Sequence, residues 1–251
     1  MIETELSRRI KAHAVECYPH ESCGFVVDGH VNGRDISGTY VPLANTHSDP
    51  TNAARVRPED FLKYEGRIVA FVHSHPDGEA APSAADMVSQ ARLNIPYIIV
   101  ATNGTNCSEP FEFGDCLPRF PLMGRPFRHA VTDCYELMRD YYDAELDLKL
   151  QSIPRDWCWW KDGLDLYQDY FKPTGFRRLQ DGEEPQQHDC FFMCLGSSVP
   201  NHGGIYLGNG RIMHHMGSTR NGAYSPTHLS TTESGVRYYS LKPIFVRYEG
   251  L

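Results

Sequence analysis

Apolar residues in the first half of the chain follow two different periods. Over about residues 4–17 and 84–93 they recur at helical spacing, which predicts two amphipathic helices. A further helix start is predicted at Arg57-Pro58-Glu59-Asp60, since proline is favoured in the first helical turn. Short apolar runs typical of strands are CGFVVD, RIVAFVHSH and YIIVAT. Helices and strands mixed in this order predict an α/β or α+β layered fold.

The second half has a helix first and strands afterwards. DCYELMRDYYDAEL has helical spacing, and four later runs have strand character: CFFMCL, HGGIYLG, RIMHH and KPIFVRYE. This order is typical of α+β folds. Residues of about 145–185 are rich in Trp and Tyr and give no clear period, so Trp157-Cys158-Trp159-Trp160 is interpreted as packing the domain or lining a cleft.

A break between two domains is predicted where periodicity stops. The stretch GDCLPRFPLMGRP, residues 114–126, contains three prolines and two glycines. We therefore expect one domain over residues 1–115 and another over 120–251, joined by this linker.

Charge and cysteine content restrict the possible functions. The net charge of −8 and the absence of a basic run argue against direct nucleic-acid readout. The longest apolar runs have strand length, and Met1 leads into a polar segment, so neither a membrane span nor an export signal is expected. The chain should then be made and folded in a cytoplasm. Eight cysteines without a CxxC pair suggest reduced and mostly buried thiols.

Candidate metal ligands follow the strand RIVAFVHSH. Because strand residues two apart face the same side, His73 and His75 can bind one ion. Asp86 lies in the first turn of a helix that Ser83 caps, and Glu21 precedes another strand. Two imidazoles and one carboxylate are typical of catalytic zinc, and Glu21 could accept the proton of an activated water. The alternatives are a surface HxH and a Ser83–Asp86 capping box that needs no metal.

The pattern PHESCGFVV, HSHP and S-x-x-D at this spacing resembles the JAMM (MPN-type) metallopeptidases over about residues 1–110. The resemblance implies a cytidine-deaminase-like layered sheet with helices, and Zn²⁺ bound by His73, His75 and Asp86. It also implies Glu21 as general base and acid, Ser83 as a hydrogen-bond donor to the oxyanion, and hydrolysis of amide or isopeptide bonds. It does not identify the substrate of this site.

A candidate nucleophile begins the helix of the second half. Asp133 and Glu136 predict a capping box, which places Cys134 in the first turn. There the helix dipole and a neighbouring imidazole would lower the thiol pKa, so Cys134 is expected to react with alkylating agents faster than the other seven thiols. His202 begins a later strand, and either His214 or His215 on the next strand could orient it. A buried structural thiol and structural histidines are the alternatives.

The phrases DCYEL and HGGIYLGN, with a histidine twelve residues after His202, resemble the NlpC-type papain-like peptidases over about residues 120–245. The resemblance implies a papain-like α+β fold with Cys134, His202 and His214 as catalytic residues, since the twelve-residue step favours His214 over His215. It further implies cleavage of the γ-D-glutamyl–diaminopimelate bond in peptidoglycan stem peptides.

Both domain types in one chain resemble the tail assembly protein K family of lambda-like bacteriophages. This resemblance implies a virion tail-tip component, assembled in the host cytoplasm, whose partners are the hub, distal tail and tip attachment proteins. Three hypotheses follow: a peptidoglycan endopeptidase acting during DNA delivery, an assembly protease that processes a tail protein at the metal site, and a structural tail protein that uses neither site. A JAMM deubiquitinase is a further interpretation of the first half, but the attached NlpC-type half argues against it.

Overall fold

The computed structural model describes residues 2–217 and 222–250, which form two compact units, Met1–Pro118 and Arg119–Leu251. The boundary between the units falls inside the stretch 114–126, where the sequence predicts a linker. The fold class is the predicted one, an α/β unit followed by an α+β unit.

The first unit consists of three helices and one five-stranded sheet. The helices are α1 (Thr4–Cys17), α2 (Pro58–Lys63) and α3 (Ala84–Leu93). The strands are β1 (Cys23–Asn32), β2 (Asp35–Leu43), β3 (Ile68–Pro76), β4 (Tyr97–Thr102) and β5 (Phe111–Phe113). Their order in the sheet is β2-β1-β3-β4-β5, with only the β3–β4 pair parallel among these strands.

Two features of this sheet position the candidate metal ligands. Helix α1 buries Leu6, Ile10 and Ala14 against one face of the sheet, which fixes that layer. Helix α3 is the crossover between the parallel strands β3 and β4. In such a unit the helix begins where the first strand ends, so the N-terminus of α3 follows the HSHP segment.

The second unit contains two α-helices, two 3₁₀ segments and eight strands among its described residues. The helical segments are α4 (Cys134–Leu146), α5 (Leu166–Phe171) and the 3₁₀ turns Trp159–Asp162 and Val236–Leu241. The strands are β6 (Pro126–Arg128), β7 (Phe176–Arg178), β8 (Cys190–Met193), β9 (His202–Gly208), β10 (Arg211–His214), β11 (Tyr224–Leu229), β12 (Thr231–Ser234) and β13 (Ile244–Tyr248). An antiparallel sheet has the order β12-β10-β9-β8-β13-β7, and β11 pairs with β6.

Two successive glycines in β9 allow close packing, Gly203 against helix α4 and Gly204 against strand β10. A Cβ atom at Gly203 would lie 2.9 Å from Phe192 Cδ1 and 3.1 Å from Met138 Cε of α4. A Cβ atom at Gly204 would collide with the Met213 carbonyl oxygen of β10. Both positions therefore require glycine, and the close approach brings the start of β9 to the start of α4.

The predicted helices at 4–17 and 84–93 are confirmed, as are the main strands of both units. The described helices offer no apolar span of the length that a bilayer requires. All eight thiols are free. The expectation that most of them are buried is wrong, since only Cys23, Cys134 and Cys190 are buried and Cys116 is exposed.

Candidate active sites

The structure brings the three candidate zinc ligands of the first unit together. His73 and His75 extend from the same face of β3, and their Nε2 atoms lie 3.0 Å apart. One Asp86 carboxylate oxygen is 3.2 Å from His73 Nε2, and the other is 3.4 Å from His75 Nε2. In tetrahedral zinc sites, Zn–N bonds of about 2.0–2.1 Å place two nitrogens roughly 3.3–3.4 Å apart. The spacing of these donor atoms fits one zinc ion.

The hydrogen bonds of the ligands agree with a metal site. The Glu79 carbonyl oxygen is 2.8 Å from His75 Nδ1, so Nδ1 donates and the Nε2 lone pair faces the other ligands. Burial raises the pKa of Asp86, but the charges and hydrogen bonds of His73 and His75 lower it far more, so this carboxyl is ionised. An anionic oxygen and imidazole nitrogens directed at one point form a donor set suited to a divalent cation.

Ser83 caps helix α3 as predicted. Its hydroxyl accepts from the Asp86 N–H and donates to Asp86 Oδ2 over 2.7 Å, while its own N–H donates to the same oxygen. The complete capping box holds the Asp86 carboxylate at the end of β3. The Ser83 hydroxyl is thus a hydrogen-bond donor beside the ligand set, and its predicted action on an oxyanion stays a proposal.

Glu21 is buried two residues before β1, close enough to His73, His75 and Asp86 to interact with their charges. Its backbone N–H donates to the Pro50 carbonyl, and the next residue, Ser22, donates to Ser74 Oγ of the HSHP segment over 2.8 Å. Burial raises the pKa of Glu21, whereas His73 and His75 lower it, and the balance is a raised pKa. A carboxyl group with a raised pKa is suited to accepting and returning a proton.

In the second unit, Cys134 is the first residue of α4. The Asp133 carboxylate caps this helix by accepting from the backbone N–H groups of Tyr135 and Glu136. The predicted capping box is only half present, because the Glu136 carboxylate pairs with Arg139 (2.7 Å) and Arg155 (3.2 Å) instead. The cysteine therefore sits at the N-terminus of a well-capped helix.

Two buried imidazoles and a partly exposed carboxylate form a series beside Cys134. Cys134 and His202 line the same cavity of about 110 Å³. His202 Nε2 lies 3.0 Å from His214 Nδ1, and His214 Nε2 lies 2.6 Å from a Glu233 carboxylate oxygen. His215 points elsewhere, toward the backbone carbonyls of Thr132 and His228. Of the two candidate partners, the structure places His214 against His202.

The lowered thiol pKa that the sequence predicts for Cys134 does not agree with its surroundings in the structure. Burial and the Asp133 carboxylate raise the pKa of Cys134 to about 11, although hydrogen bonds from the Tyr167 hydroxyl and the Gly203 N–H act in the opposite direction. Burial, with the nearby His214 and His215, lowers the pKa of His202 to about 3. Both shifts favour a thiol and a neutral imidazole near neutral pH, so Cys134 is no longer expected to be alkylated faster than the other thiols at pH 7.

Two residues of the site come from the stretch that the sequence left unassigned. The Tyr167 hydroxyl lies 3.1 Å from Cys134 Sγ, and the Tyr167 ring stacks on Phe192. The Arg155 guanidinium donates to both oxygens of Asp133, at 2.9 and 2.7 Å, and thereby compensates the charge next to the thiol. Neither residue belongs to a recognisable motif. Their contacts depend on how residues 147–171 fold back over the start of α4.

The Trp-rich run has both of the roles considered for it. All three tryptophans line the cavity beside Cys134; Trp159 is also buried in the core, whereas Trp157 and Trp160 are half-buried. The aromatic wall faces His129, Asp133 and Arg155, so the cavity combines apolar surface with charged groups. This composition is typical of a pocket that binds a polar ligand with an apolar portion.

The raised thiol pKa predicts how Cys134 reacts with iodoacetamide. Only the thiolate is nucleophilic, so the rate constant should rise about ten-fold for each pH unit between pH 7 and 10. Mass spectrometry of quenched samples measures modification at Cys134, and exposed Cys116 in the same samples reports the reaction of an accessible thiol. If the alkylation rate constant of Cys134 did not change from pH 7 upward, its thiol would already be ionised at pH 7, and the raised pKa would be contradicted.

Comparison with known proteins assigns the two units to families. Residues 3–113 match the model of prokaryotic homologs of the JAB domain, and residues 109–236 match the NlpC/P60 family. Both domain types indicate a hydrolase that cuts peptide bonds. The chain is also 34% identical over 106 residues to a probable TtuB-protein conjugate cleaving protease of Thermus thermophilus, a match that covers 39% of this chain and 68% of that protein.

Two relatives extend over both units. Tail tip assembly protein K of Escherichia phage N15 is 32% identical over 211 residues, which cover 82% of each protein. Tail tip assembly protein K of Escherichia phage lambda is 39% identical over 161 residues, covering 63% of this chain and 76% of that protein. The chain therefore belongs to the tail tip assembly protein K family, with a JAB-type domain followed by an NlpC/P60 domain.

Proposed function

We propose that this protein is a component of a phage tail tip and that its second unit is a cysteine endopeptidase acting on peptidoglycan stem peptides. The observation that carries the proposal is the placement of Cys134 at the N-terminus of α4, in one cavity with His202, whose other ring nitrogen faces His214. A nucleophile, a base and an orienting group are the parts that acyl transfer requires. Family membership supports the tail-tip assignment.

The reaction begins from the neutral pair. Cys134 Sγ attacks the scissile carbonyl carbon, and the thiol proton passes to the free ring nitrogen of His202, which is Nδ1 because Nε2 faces His214. The Tyr167 hydroxyl and the Gly203 N–H lie against the sulfur and stabilise negative charge as it forms. His202 then protonates the leaving amine. Water hydrolyses the thioester with His202 as base, which restores the thiol.

The cavity composition supports a zwitterionic peptide as substrate. A stem peptide carries carboxylates and an amino group on short aliphatic chains. Trp157 and Trp160 offer apolar contact, while His129 and the Asp133–Arg155 pair offer polar contact. We infer cleavage between γ-D-glutamate and diaminopimelate.

A synthetic L-Ala-γ-D-Glu-diaminopimelate peptide tests the proposed activity. After incubation with the purified protein, mass spectrometry should detect L-Ala-D-Glu and free diaminopimelate. An intact peptide, or cleavage at the L-Ala–D-Glu bond, would contradict the proposed specificity.

The first unit supports a second activity, because its ligand set is complete. We propose that His73, His75 and Asp86 bind Zn²⁺, which supplies Lewis-acid activation of water and of the scissile carbonyl. Glu21 accepts the proton of the attacking water at its carboxylate and returns it to the leaving amine. The Ser83 hydroxyl turns its one O–H from Asp86 Oδ2 to donate toward the oxyanion. Similarity to a conjugate-cleaving protease favours an amide or isopeptide bond of a protein as substrate. A tail protein processed during assembly fits this class.

The different surroundings of His214 and His215 predict different effects of mutation. His214→Ala should lower kcat by about 10²-fold or more, since it leaves His202 without its orienting partner. His215→Ala should mainly lower the melting temperature, because His215 joins the Thr132 and His228 carbonyls. Peptide cleavage rates and thermal unfolding of both variants measure this. The assignment of His214 fails if His215→Ala loses the activity and His214→Ala keeps it.

We further propose that the protein contacts the hub, distal tail and tip attachment proteins of the virion, and that it is assembled in the host cytoplasm. The names of its relatives support a role in tail-tip assembly. In that setting the cysteine site opens the cell wall locally while DNA enters the cell.

A further inference from the structure

The hydrogen-bonded series beside Cys134 extends one residue beyond the three that the sequence motif contains. His202 contacts His214 over 3.0 Å, and His214 contacts Glu233 over 2.6 Å. Both imidazoles are buried, at 3% and 1% exposure, so water competes little for their ring nitrogens. The series therefore ends on a carboxylate at its outer end.

A carboxylate in this place fixes where the ring protons lie. An ionised carboxylate only accepts hydrogen bonds, so His214 Nε2 must donate to Glu233. In neutral His214 the other nitrogen, Nδ1, then has no hydrogen and accepts from His202 Nε2. Neutral His202 is left with an unprotonated Nδ1, which is the form that can accept a proton from Cys134.

The sheet explains why Glu233 reaches His214. Strands β10 and β12 are antiparallel, with His214 opposite Thr231 and Ile212 opposite Glu233. Residues two apart share a face, so Glu233 is the diagonal neighbour of His214 on one side of the sheet.

Two further groups hold the Glu233 carboxylate in its charged form. Arg237 donates to Oε1 over 2.6 Å, and the Tyr238 hydroxyl donates to the same oxygen over 2.9 Å. Burial raises the pKa of Glu233, but the hydrogen bonds from Tyr238 and His214 lower it more, so the carboxylate is ionised near neutral pH.

We propose that Glu233 is a positioning residue of the cysteine site, which sets the tautomers of His214 and His202 and keeps His202 Nδ1 ready to accept the thiol proton. The proposal rests on the peptidase function proposed above. Glu233 acts through His214 and does not touch the reacting atoms.

Substitution by glutamine tests the direction of the hydrogen bonds. The new side chain in Glu233→Gln has nearly the same shape as the original but can donate from its amide nitrogen, so His214 can accept at Nε2 and carry its proton on Nδ1. That proton would then point at His202 Nε2 and move the His202 proton to Nδ1, where it blocks proton transfer from Cys134. Glu233→Asp keeps a carboxylate acceptor.

The experiment combines NMR of ¹⁵N-histidine-labelled full-length protein with peptide cleavage rates. In the wild type, both rings should carry their proton on Nε2. In Glu233→Gln, a fraction of both rings should change to the Nδ1–H form, and kcat should fall about ten-fold or more at an unchanged melting temperature. Glu233→Asp should restore part of kcat. Glu183→Gln is a matched control, since the Glu183 carboxylate pairs with Arg177 and Arg247 instead of an imidazole.

The proposal is overturned if wild-type His202 carries its proton on Nδ1, or if Glu233→Gln changes the tautomers without lowering kcat. A lower kcat with unchanged tautomers would assign Glu233 a purely structural role and equally overturn it. The NMR measurement needs no substrate. A wild-type protein with the expected tautomers and no cleavage would therefore contradict the proposed function and leave the role of Glu233 in orienting the imidazoles intact.

Discussion

Replacing Cys134 by alanine should reduce stem-peptide cleavage by about 10³-fold or more, since the variant has no atom to form the acyl intermediate. Cys134→Ser should lose nearly as much activity, because a hydroxyl is a weaker acid and a weaker nucleophile than a thiol, and His202, whose pKa burial lowers, is a weak base for it. His202→Ala should give a loss of similar size, since nucleophile and base act as one unit and their contributions do not add. Initial rates of peptide cleavage measure all three variants.

Cys194→Ala is the matched control for these substitutions. Cys194 is a partly exposed thiol that follows β8 in the same unit, and it is not among the residues that line the cavity beside Cys134. Its removal should leave the rate unchanged. If Cys134→Ala cleaved the peptide at a rate close to that of the wild type, the thiol could not be the nucleophile.

Removing a metal ligand is expected to have a comparably large effect on the first unit. Asp86→Asn or His73→Ala should reduce bound zinc from about one ion per chain to almost none, because three protein ligands are the minimum of a catalytic zinc site. The Asp86 substitution also removes the negative charge between the two imidazoles. Elemental analysis of purified protein after dialysis measures the zinc content. Asp77→Asn is the control, since Asp77 accepts from the exposed Tyr18 hydroxyl next to the same strand.

The same variants should keep the cysteine site intact. Each unit has its own core, one around Leu6, Ile10 and Val26 and the other around Leu137, Met138 and Ile205. Stem-peptide cleavage and Cys134 alkylation in Asp86→Asn should therefore match the wild type. If Asp86→Asn lost bound zinc and also lost stem-peptide cleavage and Cys134 alkylation, the two sites would not be independent.

Much of each site could be predicted because its geometry is local. His73 and His75 are two residues apart on one strand, and Ser83 and Asp86 form a capping box within one helical turn. Strand alternation also establishes that only one of His214 and His215 can face His202. In each case a few neighbouring residues determine the contact.

Contacts between segments distant in the chain could not be predicted from the sequence. Strand β2 was missed because Gly38 and Pro42 interrupt its pattern and its burial does not alternate. Tyr167 contacts Cys134, and Arg155 contacts Asp133, from a segment without periodicity. Glu233 contacts His214 because of the β10–β12 register. No short sequence pattern indicates any of these contacts.

The prediction of a lowered pKa for Cys134 failed for a related reason. A cysteine at a helix N-terminus suggests a lowered pKa, and that inference uses only local structure. The net effect depends on how completely the rest of the unit buries the sulfur and on the Asp133 charge beside it. Burial is a property of the whole fold.

Digestion of purified bacterial sacculi tests the central claim most directly. Wild-type protein, Cys134→Ala and Glu21→Gln are incubated in parallel, and the soluble products are identified by mass spectrometry. We predict that the wild type and Glu21→Gln release fragments cut between γ-D-glutamate and diaminopimelate, and that Cys134→Ala releases none. Equal release by Cys134→Ala and the wild type, or loss of release in Glu21→Gln alone, would contradict a cell-wall peptidase at Cys134.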